Sequence, residues 1–327
     1  LTRTTAATLG GKKWDALVIG GGHNGLTAAA YLAGAGLSVA VLERRHVIGG
    51  AAVTEELVPG FKFSRCSYLQ SLLRPVIIEE LELEKHGLKL LTRRPASFTP
   101  CLDGRFLFLD TDISASCSEI SKLSKRDAES YPMYLDLLEK LSKFIDPILD
   151  SSPPEKAPSV SAPLTTHMRE GLQKSIFWSK FLLRAARLGQ RDLVEFMDIL
   201  LSPASKVLDT WFESDVLKAT LATDAVIGTT GGVTTPGSGY VLLHHVMGET
   251  DGKRGIWSYV EGGMGSVSSA IGSAAVKAGA TIVTEAEVSE LMMDEHSTRV
   301  SGVILADGTK VSSSVVLSNA TPYRTFM

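Results

Sequence analysis

Trp14-Asp15-Ala16-Leu17-Val18-Ile19-Gly20-Gly21-Gly22-His23-Asn24-Gly25 is the stretch on which the reading of this 327-residue chain turns. Ala16 to Ile19 has the unbroken apolar density of a strand buried on both faces, and Leu26 to Leu32 is a helix-forming run of small and apolar residues. Between them stand Gly20, Gly22 and Gly25 in a Gly-x-Gly-x-x-Gly arrangement. In a strand-turn-helix of this kind the first glycine allows a tight bend, the second lets a pyrophosphate approach the backbone, and the third permits close contact of helix and strand. The phosphates then meet free N–H groups at the positive end of a helix dipole. Three glycines alone are a weak signal, and the context strengthens them. Ser38 to Leu42 forms a second strand that ends at Glu43, about 20 residues on, where a ribose-binding carboxylate is expected.

The composition narrows the class. A hydrophobic content of 44% over 327 residues can bury a large core and is enough for two domains. The net charge of −3, from 33 basic and 36 acidic side chains, offers no bulk field for nucleic acid. Cys66, Cys101 and Cys117 show neither a Cys-x-x-Cys pair nor metal-ligand spacing, which points to a reducing compartment and to no metal site. No apolar run is long enough for a transmembrane segment. Leu1 to Lys13 carries Arg3, Lys12, Lys13 and several threonines without an acidic residue, as the tail of a mitochondrial presequence or a plain flexible lead-in would.

Beyond Glu43 the chain is loop-rich through Gly60, and Phe61-Lys62-Phe63 alternates like a short strand. Asp103-Gly104 between Ser97–Pro100 and Arg105–Leu109 is a hairpin signal. Ser124 to Ile148 reads as a helix with Tyr134, Leu137, Leu138, Leu141 and Ile145 on one stripe. Ser151 to Pro163, rich in proline and serine, reads as a connection, and helices resume from about Thr166 to Ala225. Within them Ile176 to Arg187 is both basic and aromatic. Packing on its own domain with a solvated basic edge is the plainer reading, and a role at a membrane surface or an apolar substrate entrance the sharper one.

The final third returns to the first rhythm. Gly262-Gly263-Met264-Gly265 opens a helix of small residues, Thr281-Ile282-Val283 and Glu287-Val288 follow, Asp307-Gly308 joins a hairpin, and Ser314 to Ala320 reads as another buried strand. The expectation is an α/β chain: a Rossmann-like, FAD-binding domain of discontinuous segments, interrupted by a mixed, largely helical substrate domain. Its segments are a lead-in over 1–13, nucleotide segments over 14–87 and 255–327, and a substrate or cap domain over 88–254.

Gly20, Gly22, Gly25 and Glu43, the Gly49-Gly50 pair with Thr54 and Gly60-Phe61 after it, and the block from Gly262 to Ala320 together resemble the phytoene desaturase and amine oxidase superfamily of flavoproteins. The resemblance runs across nearly the whole chain. It implies that Gly49 and Gly50 lie near the flavin diphosphate and ribityl chain, and that Val288 presents its backbone to adenine. It further implies a phytoene dehydrogenase-like, FAD-dependent oxidoreductase of the mitochondrial matrix that takes hydride from a small, apolar substrate, with a mitochondrial protein as partner. Two departures stand out. Ala51 holds the place where most members carry an arginine, and the chain stops at Met327 without the family's closing glycine-rich segment. The second predicts a shortened form that binds FAD poorly and is inactive.

Glu43 would repel the extra phosphate of NADP despite Arg44 and Arg45 beside it, and by itself leaves NAD open. The glycine pair and the late block tilt the choice to FAD. No catalytic residue is named. His244 and His245 read as packing or surface histidines, and His23 fills a variable position of the phosphate turn. Phe63, Tyr68, Trp257 and Tyr259 would line a flavin or an apolar pocket, or serve as core. The rival from another class is a non-catalytic nucleotide-binding or regulatory protein that retains the fold, as Rab GDP-dissociation inhibitors do.

Overall fold

The computed structural model describes residues 9–151, 164–250, 252–296 and 298–327, with side chains of the helix beginning at Leu164 described from Gly171 onward. The elements in chain order are β1 (Trp14–Ile19), α1 (His23–Gly34), β2 (Val39–Leu42), β3 (Thr54–Val58), β4 (Phe61–Ser64), α2 (Pro75–Glu80) and β5 (Leu90–Thr92). Then follow β6 (Ser97–Pro100), β7 (Phe106–Leu109), α3 (Ile113–Ser121), α4 (Lys125–Leu149), α5 (Leu164–Leu188), α6 (Gln190–Leu201), α7 (Ala204–Trp211), α8 (Asp215–Ala222), α9 (Ser238–Val246), β8 (Glu249–Thr250) and β9 (Lys253–Arg254). The chain closes with β10 (Ser258–Val260), α10 (Gly265–Lys277), β11 (Thr281–Val283), β12 (Val288–Met293), β13 (Val300–Leu305), β14 (Lys310–Ser318) and α11 (Pro322–Phe326).

Two compact units result, one from 1–92 and 257–327, the other from 93–256. The sequence reading changed domain at 87/88 and 254/255. The crossings fall later because β5 pairs antiparallel with β10, Leu90 facing Val260, which ties Leu90–Thr92 to the first unit.

The first unit is built on a six-stranded sheet in the order β11-β2-β1-β14-β13-β12. Its first four strands are parallel, and β12 and β13 add antiparallel pairing. Ala16 and Val18 pack with Val39, Val41 and Ile282 against α1 and α10, whereas Leu17, Ala40 and Leu42 pack on the opposite face with Val303, Leu305 and Val311. Burial on both faces is why these short strands read as continuous apolar runs instead of alternating ones. The small residues Ala29, Ala30 and Ala33 of α1, with Ala270, Ala274 and Ala275 of α10, let the two helices lie close on that sheet.

Three expectations change here. The lead-in is not free up to Lys13: Leu9 is fully buried, and Trp14 donates its indole N–H to the Leu9 carbonyl at 3.1 Å. Leu1 to Thr8 lie outside the described residues. Ser314 to Ala320 is not a separate strand. β14 runs unbroken from Lys310, pairing antiparallel with β13 through Gly302↔Ser312 and then parallel with β1 through Ala16↔Val315 to Ile19↔Ser318. Nor is that stretch uniformly buried, since Val315 is 54% exposed. An apolar run does not report which of its two alternating faces will find a cover.

The second unit is mainly helical, with the β6–β7 hairpin turning through Asp103-Gly104. α4 is capped by Ser124, whose hydroxyl accepts from the Asp127 N–H at 3.1 Å. Tyr134, Leu137, Leu138, Leu141 and Ile145 all enter the unit's core, beside Phe196, Leu208, Phe212 and Leu243. The connection expected from Ser151 to Pro163 lies outside the described residues after Ser151.

Candidate nucleotide site

The parallel strands end together. β1 stops at Ile19, β2 at Leu42 and β14 at Ser318, and β1 stands between β2 on one side and β14 on the other. The carboxyl ends of the parallel strands are where open α/β sheets take their ligands.

The glycine turn occupies this point. Gly20 has φ +95°, a left-handed conformation that L side chains rarely adopt. A Cβ on Gly25 would sit 2.3 Å from the Gly20 carbonyl oxygen and 3.1 Å from Val18, so α1 lies on β1 as closely as its third glycine allows. The second turn folds onto the first: Gly49 donates its N–H to the Gly21 carbonyl at 2.8 Å, and Gly22 and Gly49 form an isolated parallel bridge. A Cβ on Gly50 would reach 3.2 Å from the Gly22 Cα. Two glycine pairs distant in sequence thus make one stretch of bare backbone.

Glu43 is buried, at 7% exposure. Its Oε2 accepts from the Gly21 N–H at 2.8 Å and its Oε1 from the Arg45 N–H at 2.9 Å. The carboxylate therefore braces the glycine turn, and each oxygen keeps further acceptor capacity. Arg45 turns its guanidinium away onto Glu55 at 2.5 Å, and Arg65 joins the same carboxylate at 3.1 Å. These two arginines hold the Glu55 carboxyl below its ordinary range. An arginine so engaged is not poised as a clamp for a 2′-phosphate.

Val288 joins the group through the β11–β12 connection. The Ala286 N–H donates to the Glu43 carbonyl at 2.9 Å, which runs this segment past the end of β2. The Ala306 N–H donates to the Glu287 carbonyl at 2.8 Å, so the facing pair Val288↔Leu305 is of the non-hydrogen-bonded kind. Because β12 is an edge strand, the Val288 N–H and C=O point outward from the sheet.

The two neighbouring helices differ at their N-termini. The Met264 and Gly265 amides at the start of α10 donate to Ser64 Oγ and Thr54 Oγ1 at 3.0 and 2.9 Å. α1 has no side-chain cap and no carboxylate in its first turn. Of the two, α1 keeps its dipole end for an outside anion. His23 begins it, and burial pushes this imidazole below its usual range.

Sequence reasoning missed Asn319. It follows β14 immediately, donates its N–H to the Ile19 carbonyl at 2.8 Å, and stands behind all three motif glycines. A Cβ on Gly22 would come within 2.8 Å of its Nδ2. A side chain at position 22 would have to displace this amide, about 300 residues away, a spacing at which no local motif signals. Of the aromatics read as flavin-lining or core, Phe63, Tyr68 and Tyr259 are exposed and so are not core. In the second unit His245 is buried, with Nδ1 2.8 Å from the Val241 carbonyl oxygen, a packing role. All three cysteines are free thiols. Among the described residues no group of His, Cys, Asp and Glu could hold a metal ion, and no helix is long and apolar enough to cross a membrane.

This geometry defines a Rossmann-like dinucleotide-fold protein, and a family model for the NAD(P)-binding Rossmann-like domain matches residues 18–73. The chain is similar to pyridine nucleotide-disulfide oxidoreductase domain-containing protein 2 of Rattus norvegicus, with 51% identity over 96% of this chain and 54% of the rat protein. It spans about half the length of the curated relatives it matches. The phytoene desaturase of Cercospora nicotianae is 26% identical over 94% of this chain and 45% of its own. Among solved structures, an engineered putrescine oxidase shares the fold, with a TM-score of 0.56 and 19% identity over 96% of this chain and 60% of its own. The resemblance to the desaturases therefore holds in sequence, and the likeness to the amine oxidase is one of fold.

Proposed function

We propose that the first unit binds the ADP half of FAD at the glycine turn, as the nucleotide part of a flavin-dependent oxidoreductase that takes hydride from a small organic substrate. The observation that carries this reading is the bare-backbone cradle in which Gly22 and Gly49 bridge below the uncapped end of α1. Gly20, Gly22 and Gly25 form the bend that faces the pyrophosphate, Glu43 accepts from the adenosine ribose, Gly49 and Gly50 follow the diphosphate toward the ribityl chain, and Val288 offers its outward backbone groups to adenine. FAD, when bound, supplies the acceptor for hydride. The chain's own residues bind and orient the cofactor and exclude water from its phosphates. The similarity to a phytoene desaturase and a putrescine oxidase supports removal of hydride from a C–H or C–N bond.

The test is titration of the apo-chain with FAD, NAD and NADP by calorimetry, with released-cofactor analysis of the purified protein. FAD is expected to bind and NADP to bind least. Glu43→Ala should weaken FAD by about 10- to 100-fold, the worth of a charge-assisted hydrogen bond of roughly 1.5–3 kcal/mol. A folded, colourless chain indifferent to every adenine coenzyme would overturn the proposal and leave a non-catalytic protein that merely retains the fold.

A further inference from the structure

We propose that α5 is a peripheral docking helix that lays its outward ridge on an anionic lipid surface. The proposal is independent of the flavin reading. Phe181, Ala185 and Leu188 form the side of α5 that packs into the second unit, with the Phe181 ring 5.8 Å from that of Phe144. At about 100° per residue, Leu172, Ile176, Ser179 and Leu183 fall opposite that side, at spacings of four, three and four. A helix that only covers a core carries polar residues there. This one carries leucine and isoleucine, and Leu172, Ile176 and Leu183 on the ridge are 44–63% exposed.

The charge along the same helix selects the occupant. From Gly171 to Leu188 there are Lys174, Lys180, Arg184 and Arg187 and no acidic residue, in a chain whose net charge is −3. Lys180, Arg184 and Arg187 fall along one flank of the ridge and Leu182 along the other, by the same angular count, with the half-exposed Trp178 beyond Leu182, its ring 5.8 Å from that of Phe181. An apolar ridge with basic residues at its flank and tryptophan beside it matches the boundary between headgroups and acyl chains. A second copy meeting this face with its own would set three positive charges against three.

The test is co-sedimentation of the whole chain with vesicles of pure phosphatidylcholine and of phosphatidylcholine mixed with phosphatidylserine. Binding is expected only with the mixed vesicles, and it should weaken as salt is raised. Lys180→Gln with Arg187→Gln should lower partitioning by about 25-fold, at roughly fivefold per basic residue. Ile176→Gln with Leu183→Gln should abolish it while leaving the thermal melt unchanged, since both side chains face outward. A blue shift of tryptophan emission on the mixed vesicles, absent in Trp178→Phe, reads insertion without relying on the ridge variants. Three results would each overturn the proposal: no pelleting with either vesicle, equal pelleting of wild type and both double variants, or self-association in solution that Leu183→Gln removes while lipid binding is nil.

Discussion

Single residues decide how the nucleotide turn is held. Glu43 takes the Gly21 and Arg45 amides on its two oxygens and, in the function proposed, would also accept from a ribose. His23, at the first position of α1, has an imidazole held below its ordinary value of 6.5 by burial. The folded state thus prefers the neutral ring. Its contribution to stability is fully present above pH 6.5 and is lost as pH falls, because the unfolded chain takes up the proton first. Thermal melts between pH 7.5 and 5 should show a fall in Tm that is smaller in His23→Gln. An equal fall in both proteins would refute the assignment. Glu43 and the three motif glycines were visible in the sequence because strand, turn and helix are local. Asn319 was not, because its place beside Gly22 exists only once β14 pairs with β1.

Among the elements, α4 and β14 show what periodicity reports. The apolar stripe of α4 from Tyr134 to Ile145 repeats at helical spacing over about three turns, so both its existence and its buried face were predictable. Leu138 is fully buried in the core of the second unit. Leu138→Ala should therefore cost about 2–5 kcal/mol. Val315 of β14 lies on a strand whose apolar run looks equally buried, yet it is half exposed. Val315→Thr should change stability by less than about 0.5 kcal/mol. Urea midpoints of the two variants check the pair, and a large effect at Val315 would mean that its face is covered in solution.

For the molecule as a whole, the consequence of two units is that ligand linkage acts through one of them. FAD bound to the folded first unit and not to the unfolded chain adds about 2.7 kcal/mol when present at a hundredfold its Kd. The expected outcome is a rise in the melting transition with FAD that Glu43→Ala reduces and Leu138→Ala leaves in place. A shift undiminished in Glu43→Ala would place the cofactor elsewhere.

Chain-local chemistry settled the α/β class, the phosphate turn, its acidic partner and the helical insert. These depend on hydrogen-bond rings, turn conformations and apolar periods that close within a few dozen residues. Folding in three dimensions alone set the bridge between Gly22 and Gly49, the bracing of Gly21 by Glu43, the placement of Asn319 and the change of pairing along β14. Each of these joins segments brought together by the burial of a shared core, and burial is a property of the assembled sheet and helices that no single stretch of chain carries.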